Sequence, residues 1–158
     1  ELKALWVSKL ANSAGASGMV QGQATDLEGE SRELSLAELE AMHQHKTGAL
    51  IEASLTMIAR VVGDTGIERS LEQFAHHIGL AFQVRDDILD VESNTPALGK
   101  PSGSDVSSSK STFVSILGIA ASRQRLQIEL EKAHTVLNNL ENAIALRWLA
   151  DYIVGRQY

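Results

Sequence analysis

An all-α fold is predicted by three features of the sequence. Long stretches rich in Ala, Leu, Ile and Glu run almost without proline, and the two prolines fall together at Pro96 and Pro101. Such composition favours helix over sheet. Apolar residues recur three and four apart in several segments, the period of a helix that buries one face. Helix boundaries are also written in the chain, most clearly in Ser35-Leu36-Ala37-Glu38. This is a capping box, in which the Ser hydroxyl accepts from the amide three residues on and Glu38 reaches back. The 158 residues suffice for one domain with a sizeable core, and 44% hydrophobic content is that of an ordinary globular protein.

The elements follow in order. Leu2, Leu5, Trp6, Lys9, Leu10 and Ala14 trace a first helical stripe. Small residues at 15–18 allow close packing before a short helical segment at 19–25. Residues 26–35 are polar, hold Gly29, and read as a loop. From the capping box a long helix is expected to run to about residue 62 and stop at Gly63-Asp64. A second long helix is expected over about 67–91, with Ile67, Leu71, Phe74, Ile78, Phe82 and Leu89 as its apolar stripe. Residues 92–110 carry both prolines, two glycines and many serines and read as a loop. Helices resume near 112–120, 123–140 and 143–154. No internal repeat or linker divides the chain.

Charge and composition exclude several function classes. The net charge of −6 provides no basic field for nucleic acid, so a polyanionic substrate needs locally placed cations or metal ions. The absence of cysteine removes disulfides and thiolate metal sites and fits a reducing, cytoplasmic compartment. No apolar run approaches the roughly 20 residues of a membrane span, and no signal peptide is visible. The chain opens at Glu1 inside a helical pattern, which suggests a piece of a longer protein. No Ser/His/Asp grouping and no Gly-x-Gly-x-x-Gly is present.

The chemistry concentrates in two places. In Phe82-Gln83-Val84-Arg85-Asp86-Asp87-Ile88-Leu89-Asp90, Asp90 sits about 40° from Asp86 and one turn along, roughly 6 Å of rise, with Gln83 on the same side. Asp86 borders the apolar stripe, while Asp87 is expected to point further towards solvent. Two carboxylates so placed repel unless a cation sits between them. Hard oxygen ligands at this spacing suit Mg²⁺, which shares its shell with water and phosphate oxygens; a solvated acidic face is the plainer reading. The second place is Lys46, which falls in the line of Leu39, Met42, Leu50, Ala53 and Met57. An ammonium in an apolar line either snorkels to the surface or faces a cavity that holds an anion. Lys100, beside Gly99, and Lys110, at a predicted helix start, are further candidate cations. His76, His77 and His134 read as structural or surface residues, and Trp6 and Trp148 as core or interface packing.

Taken together, these stretches resemble the short-chain trans-prenyl diphosphate synthases of the farnesyl and geranylgeranyl type. The resemblance runs in order through Gly18-Met19-Val20-Gln21-Gly22-Gln23 with Asp26-Leu27, and through His45-Lys46-Thr47-Gly48. It continues in Gly79-Leu80-Ala81-Phe82-Gln83 with the acidic run 86–90, in Leu98-Gly99-Lys100 and Gly103-Ser104-Asp105, and in Lys110-Ser111-Thr112. It implies an isoprenoid-synthase-type helical bundle, of which residues 1–158 are the C-terminal half of a polyprenyl synthetase domain. The implied activity is Mg²⁺-dependent condensation of an allylic diphosphate with isopentenyl diphosphate, commonly in a homodimer. By position, Asp86 and Asp90 would bind metal, with Asp87 outside or behind that shell. Lys46 and Lys100 would hold the allylic diphosphate, and Thr47, Phe82 and Gln83 would line the pocket, with Lys46, Gln83 and Asp86 at the chemistry. Lys110 and Asp105 would order the covering loop, and Arg156 would lie near a closing C-terminal segment. The first acidic motif and the basic residues for isopentenyl diphosphate belong to the family's N-terminal half and are not in this sequence. A non-catalytic partner subunit, a terpene cyclase and a helical scaffold with an acidic surface are the alternatives.

Overall fold

The fold is seen in a computed structural model that describes residues 1–93 and 110–157. Its elements are α1 (Leu2–Ala14), α2 (Met19–Gly29), α3 (Leu36–His43), a π turn (Gln44–Gly48), α4 (Ala49–Val62), α5 (Thr65–Ser93), α6 (Phe113–Leu117), α7 (Ile119–Leu137) and α8 (Ile144–Gly155). All-α is therefore the fold class, and among the described residues there is no strand. No helix among them is long and apolar enough to cross a membrane.

The 29-residue α5 is the axis of the bundle. It packs against α7, α4, the π turn, α8, α6 and α3. Its inner face is an apolar series of Leu71, Phe74, Ile78, Val84 and Ile88, each 9% exposed or less. Leu39 of α3, Phe113 of α6 and Leu137 of α7 close the core around it, all fully buried. The three-and-four spacing of that series also takes in position 87. Asp87 is consequently buried, against the expectation that it points to solvent, while the side chain of Asp86 is 43% exposed.

Boundaries follow local chemistry. Ser35 makes both bonds of the expected capping box with Glu38. Gly63 ends α4 at φ 75, a left-handed conformation that glycine adopts without steric cost. Gly118, at φ 81, separates α6 from α7 within the segment expected as one helix near 112–120, ahead of the break that the sequence pattern places after it. The α2 helix runs on to Gly29, so Asp26 sits on a helix and not in the expected loop.

The predicted helix from 36 to 62 is divided by the π turn, and the reason is close packing. A Cβ on Gly22 of α2 would lie 2.2 Å from the Lys46 amide nitrogen and 2.6 Å from its Cα. On the other side, a Cβ on Gly79 of α5 would approach Gly48 Cα at 3.3 Å. The segment carrying Lys46 is pressed between two helices, each yielding a glycine. The wider turn also changes the helix phase: Leu39, Met42 and His43 are buried before it, and Ala53, Thr56 and Ala59 after it. Leu50 and Met57, expected in the buried line, are only partly covered. A π turn inside an α-helix frequently marks a functional position.

A buried ion network fastens α7 to the axis. Glu129, 1% exposed, lies 2.7 Å from His77 Nδ1, 3.0 Å from Arg125 Nε and 3.1 Å from Lys132 Nζ. Arg125 in turn reaches Glu40 of α3 at 2.9 Å. His77 is thus structural, and His134 similarly faces Asp151 at 3.0 Å. Burial pushes the Glu129 carboxyl up, but hydrogen bonds from His77 and Lys132 and the charges of Arg125 and Lys132 outweigh it and hold it down at about 2.

Two predictions follow from this packing. Gly22→Ala lowers the unfolding free energy by about 1–3 kcal/mol, measured by urea titration, because the new methyl meets backbone rather than a movable side chain. The folded Glu129 carboxyl titrates below its unfolded value of 4.5, so its contribution to stability is present above about 4.5 and is lost as the pH falls towards about 2. Glu129→Gln removes that part of the acid limb, and urea titrations at descending pH read the difference.

Candidate functional site

Lys46 does not snorkel alone. Its Nζ lies 2.7 Å from Asp26 Oδ2, and Lys110 Nζ approaches the same oxygen at 3.4 Å. Lys110 is also 3.0 Å from Glu30 Oε1. Asp26 and Gly22 are four apart on α2, so the face that presses on the Lys46 backbone also presents the carboxylate to its ammonium. Within the stretch from Gly18 to Leu27 the sequence pattern alone assigns Asp26 no role. The signal available was this spacing of a glycine and an acid on one helix face. Burial pushes the Asp26 carboxyl up, yet hydrogen bonding and charge from Lys46, with Lys110 behind, bring it below the ordinary value. Lys110 is raised, chiefly by its hydrogen bond to Glu30.

Thr47, next in the π turn, donates from Oγ1 to Gln83 Oε1 at 3.4 Å. This contact joins the lysine segment to α5, one turn before the acidic run. Phe82 and Asp86 on α5 share a different neighbour. The guanidinium of Arg156, just past α8, lies 4.0 Å from the centroid of the Phe82 ring. It also donates to the Phe82 carbonyl at 3.3 Å and pairs with Asp86 Oδ1. Arg85 fixes the other side of Arg156 by donating to its carbonyl at 2.9 Å. The sequence placed Arg156 only near a closing segment; its pairing with Asp86 is a tertiary fact, since 70 residues separate them.

The acidic residues of α5 therefore divide. Asp90 and Asp87 line a cavity of about 660 Å³ together with Lys110, Thr112, Ser115 and Glu33. Asp86 lies outside that lining and faces Arg156. Asp87 Oδ2 accepts from the amide of Phe113 at 2.7 Å. Lys100 and Asp105 lie outside the described residues, as does most of the expected loop, from 94 to 109.

The donor set suits a hard divalent ion better than a soft one. It consists of carboxylates, with no cysteine in the chain, and no group of three or more His, Asp or Glu side chains forms a cage among the described residues. Mg²⁺ needs only one or two carboxylates when substrate phosphates and water complete its shell. Asp86 is also short of positive charge: burial keeps its carboxyl above the ordinary value even with Arg156 against it. A divalent ion would relieve that condition. Asp86 and Asp90 are the carboxylates that the sequence pattern offers to such an ion, although only Asp90 lines the cavity while Asp86 pairs with Arg156.

The fold and these motifs define a helical protein built to place two ammonium groups and a set of carboxylates on facing segments. The polyprenyl synthetase family model matches residues 5–146, and the chain belongs to that family. Farnesyl diphosphate synthase of Geobacillus stearothermophilus is 42% identical over 154 residues, which are 96% of this chain and 52% of that protein. The farnesyl diphosphate synthase of Escherichia coli (strain K12) is also 42% identical, over 156 residues, covering 95% and 52%. Among solved structures, an FPP/GFPP synthase from Zymomonas mobilis superposes with a TM-score of 0.82 at 33% identity, covering 97% of this chain and 51% of that one. A geranyltransferase from Helicobacter pylori, complexed with magnesium and isoprenyl diphosphate, gives 0.79 at 31% identity, covering 98% and 51%. The chain spans about half the length of the curated relatives it matches, and the match falls in their C-terminal half.

Arg156→Gln tests the electrostatics of the acidic run. Burial raises the Asp86 carboxyl and Arg156 lowers it, so removing the guanidinium moves the Asp86 titration to higher pH. Carbon-detected NMR titration of the Asp86 carboxyl reads the shift.

Proposed function

We propose that this chain forms the C-terminal half of the polyprenyl synthetase domain of a short-chain trans-prenyltransferase. In this reading the enzyme condenses an allylic diphosphate with isopentenyl diphosphate in the presence of Mg²⁺, and the product is farnesyl diphosphate. The observation that carries the reading is the pair Lys46 and Lys110 on one carboxylate, set beside the Thr47–Gln83 contact at the head of the acidic run. The farnesyl diphosphate synthases among its relatives, and a similar fold complexed with magnesium and isoprenyl diphosphate, support it. A homodimer and a cytoplasmic location belong to the same reading.

The chain's own residues have clear tasks in such a reaction. Breaking an allylic C–O bond leaves a carbocation and a pyrophosphate with added negative charge, and fixed cations aimed at that charge lower the barrier. Lys46 and Lys110 supply ammonium groups, held ready by Asp26, and Lys100 belongs with them. Thr47 and Gln83, in contact with one another, belong in this reading to the substrate's surroundings, and Phe82 offers an aromatic face that suits a developing carbocation as it suits Arg156. Mg²⁺, when bound at Asp86 and Asp90, supplies the remaining positive charge to the leaving pyrophosphate. A regulatory subunit needs none of these groups, which disfavours the non-catalytic alternative.

Calorimetric titration with inorganic pyrophosphate tests the reading. The chain is expected to bind it only with Mg²⁺ present, and Lys46→Ala or Asp86→Ala weakens binding by at least about tenfold, the loss of one charge-assisted contact. Pyrophosphate binding that ignores both Mg²⁺ and Lys46 would sink it. The 158-residue chain alone is expected to yield no prenyl diphosphate from geranyl and isopentenyl diphosphates, because half of the proposed metal shell lies in the other half of the relatives. Mg²⁺-dependent product in a radiolabel assay would refute that expectation.

A further inference from the structure

Asp87 sits in the middle of the acidic run, yet its side chain is directed differently from that of Asp86, which faces Arg156. The residue is 7% exposed, and Oδ2 accepts from the backbone amide of Phe113 at 2.7 Å. That amide is the first of α6, one of the helix N-terminal donors that no intrahelical carbonyl can satisfy. Phe113 is fully buried, and its ring stacks on His43 with centroids 5.8 Å apart and planes 20° from parallel. His43 closes α3 immediately before the π turn that carries Lys46. Burial, and then the charge of Lys46, pushes its imidazole down to about 4, so the ring is a neutral platform at physiological pH.

The residues just upstream are held as closely. Thr112 caps α6 by accepting from the Ser115 amide, and Ser111 Oγ accepts from the Leu34 amide at 2.9 Å. Lys110 then reaches Asp26 and Glu30. Residues 110–113 are therefore fastened at every position, and the deepest fastening is the buried bond to Asp87.

We infer that Asp87 is a positioning residue for the diphosphate site: by pinning the Phe113 amide, with His43 beneath the ring, it fixes where Lys110 presents its ammonium beside Lys46. The inference rests on the reading of that site given under Proposed function. Asp87 in this role serves as a hydrogen-bond acceptor for the Phe113 amide. An Asn in its place keeps an acceptor oxygen and loses the charge, whereas an Ala loses both.

The test is calorimetric titration of the parent chain and of Asp87→Asn, Asp87→Ala, Lys110→Ala and the Asp87→Ala/Lys110→Ala double variant with inorganic pyrophosphate and Mg²⁺. The amide shift of Phe113 is followed by NMR in each. Asp87→Asn is expected within about threefold of the parent, and Asp87→Ala weaker by at least about tenfold. The double variant is expected no weaker than the worse single one, since both changes remove the same contribution. The Phe113 amide is expected to move in Asp87→Ala and to stay in Asp87→Asn. An Asp87→Asn that loses as much as Asp87→Ala, or an Asp87→Ala that binds like the parent, overturns the inference while leaving the diphosphate site standing. A parent that binds no pyrophosphate rejects the site and the inference with it. Should Asp87→Ala fail to fold, Asp87→Asn decides alone: near-parent binding supports the inference, and tenfold loss overturns it.

Discussion

Asp26 accepts two ammonium groups from segments 20 and 84 residues away in sequence, and the arrangement of the site depends on that sharing. Two lysines brought together without it would repel, and each would carry a desolvation cost as the surrounding helices closed. With the carboxylate between them they can be assembled before any anion arrives. The compensation is local: the chain as a whole is acidic, with a formal net charge of −6. The gathering of the two cations is thus a matter of placement, made by one acid on α2 that draws ammonium groups from the π turn and from the segment before α6.

Close backbone approach makes this sharing possible. Gly22 lets α2 lie directly on the Lys46 backbone, and Gly79 lets α5 approach Gly48 from the other side. The π turn between them widens the helix where it is squeezed and turns Lys46 and Thr47 towards different partners, Asp26 and Gln83. The same turn re-phases α4, so its buried face no longer continues that of α3. Packing, capping and charge act on one short segment here, and each element of the site meets it.

Much of the fold was legible in the sequence. The Ser35 capping box and the glycine stop at 63 are local rules, and each appears where the pattern places it. Of the apolar stripe expected on α5, Leu71, Phe74 and Ile78 are buried, whereas Ile67, Phe82 and Leu89 are only partly covered and Val84 and Ile88 continue the core instead. The errors arise where a tertiary contact overrides the local pattern. Residues 26–29 are polar and read as a loop, but α2 continues through them because Asp26 faces Lys46 and Lys110. Asp87 was expected to face solvent, since a carboxylate rarely lies in an apolar series. It is buried because an amide on α6, 26 residues later, supplies its partner. The π turn cannot be read from periodicity, because the residues that demand it are glycines on other helices.

The sequence by itself determined the helical class, the ends of the main helices and the family, because these rest on periodicity, capping chemistry and motifs that lie within a few residues of one another. It also offered Lys46, Thr47, Phe82, Gln83, Asp86, Asp90, Lys100 and Lys110 as candidates for the chemistry. Only the tertiary structure decided how they divide: Lys46 and Lys110 on Asp26, Asp90 with Lys110 on one cavity, and Asp86 against Arg156. The physical reason is that a charged group is placed by its partner, and the partners of Lys46, Lys110 and Asp86 lie 20, 84 and 70 residues away in sequence.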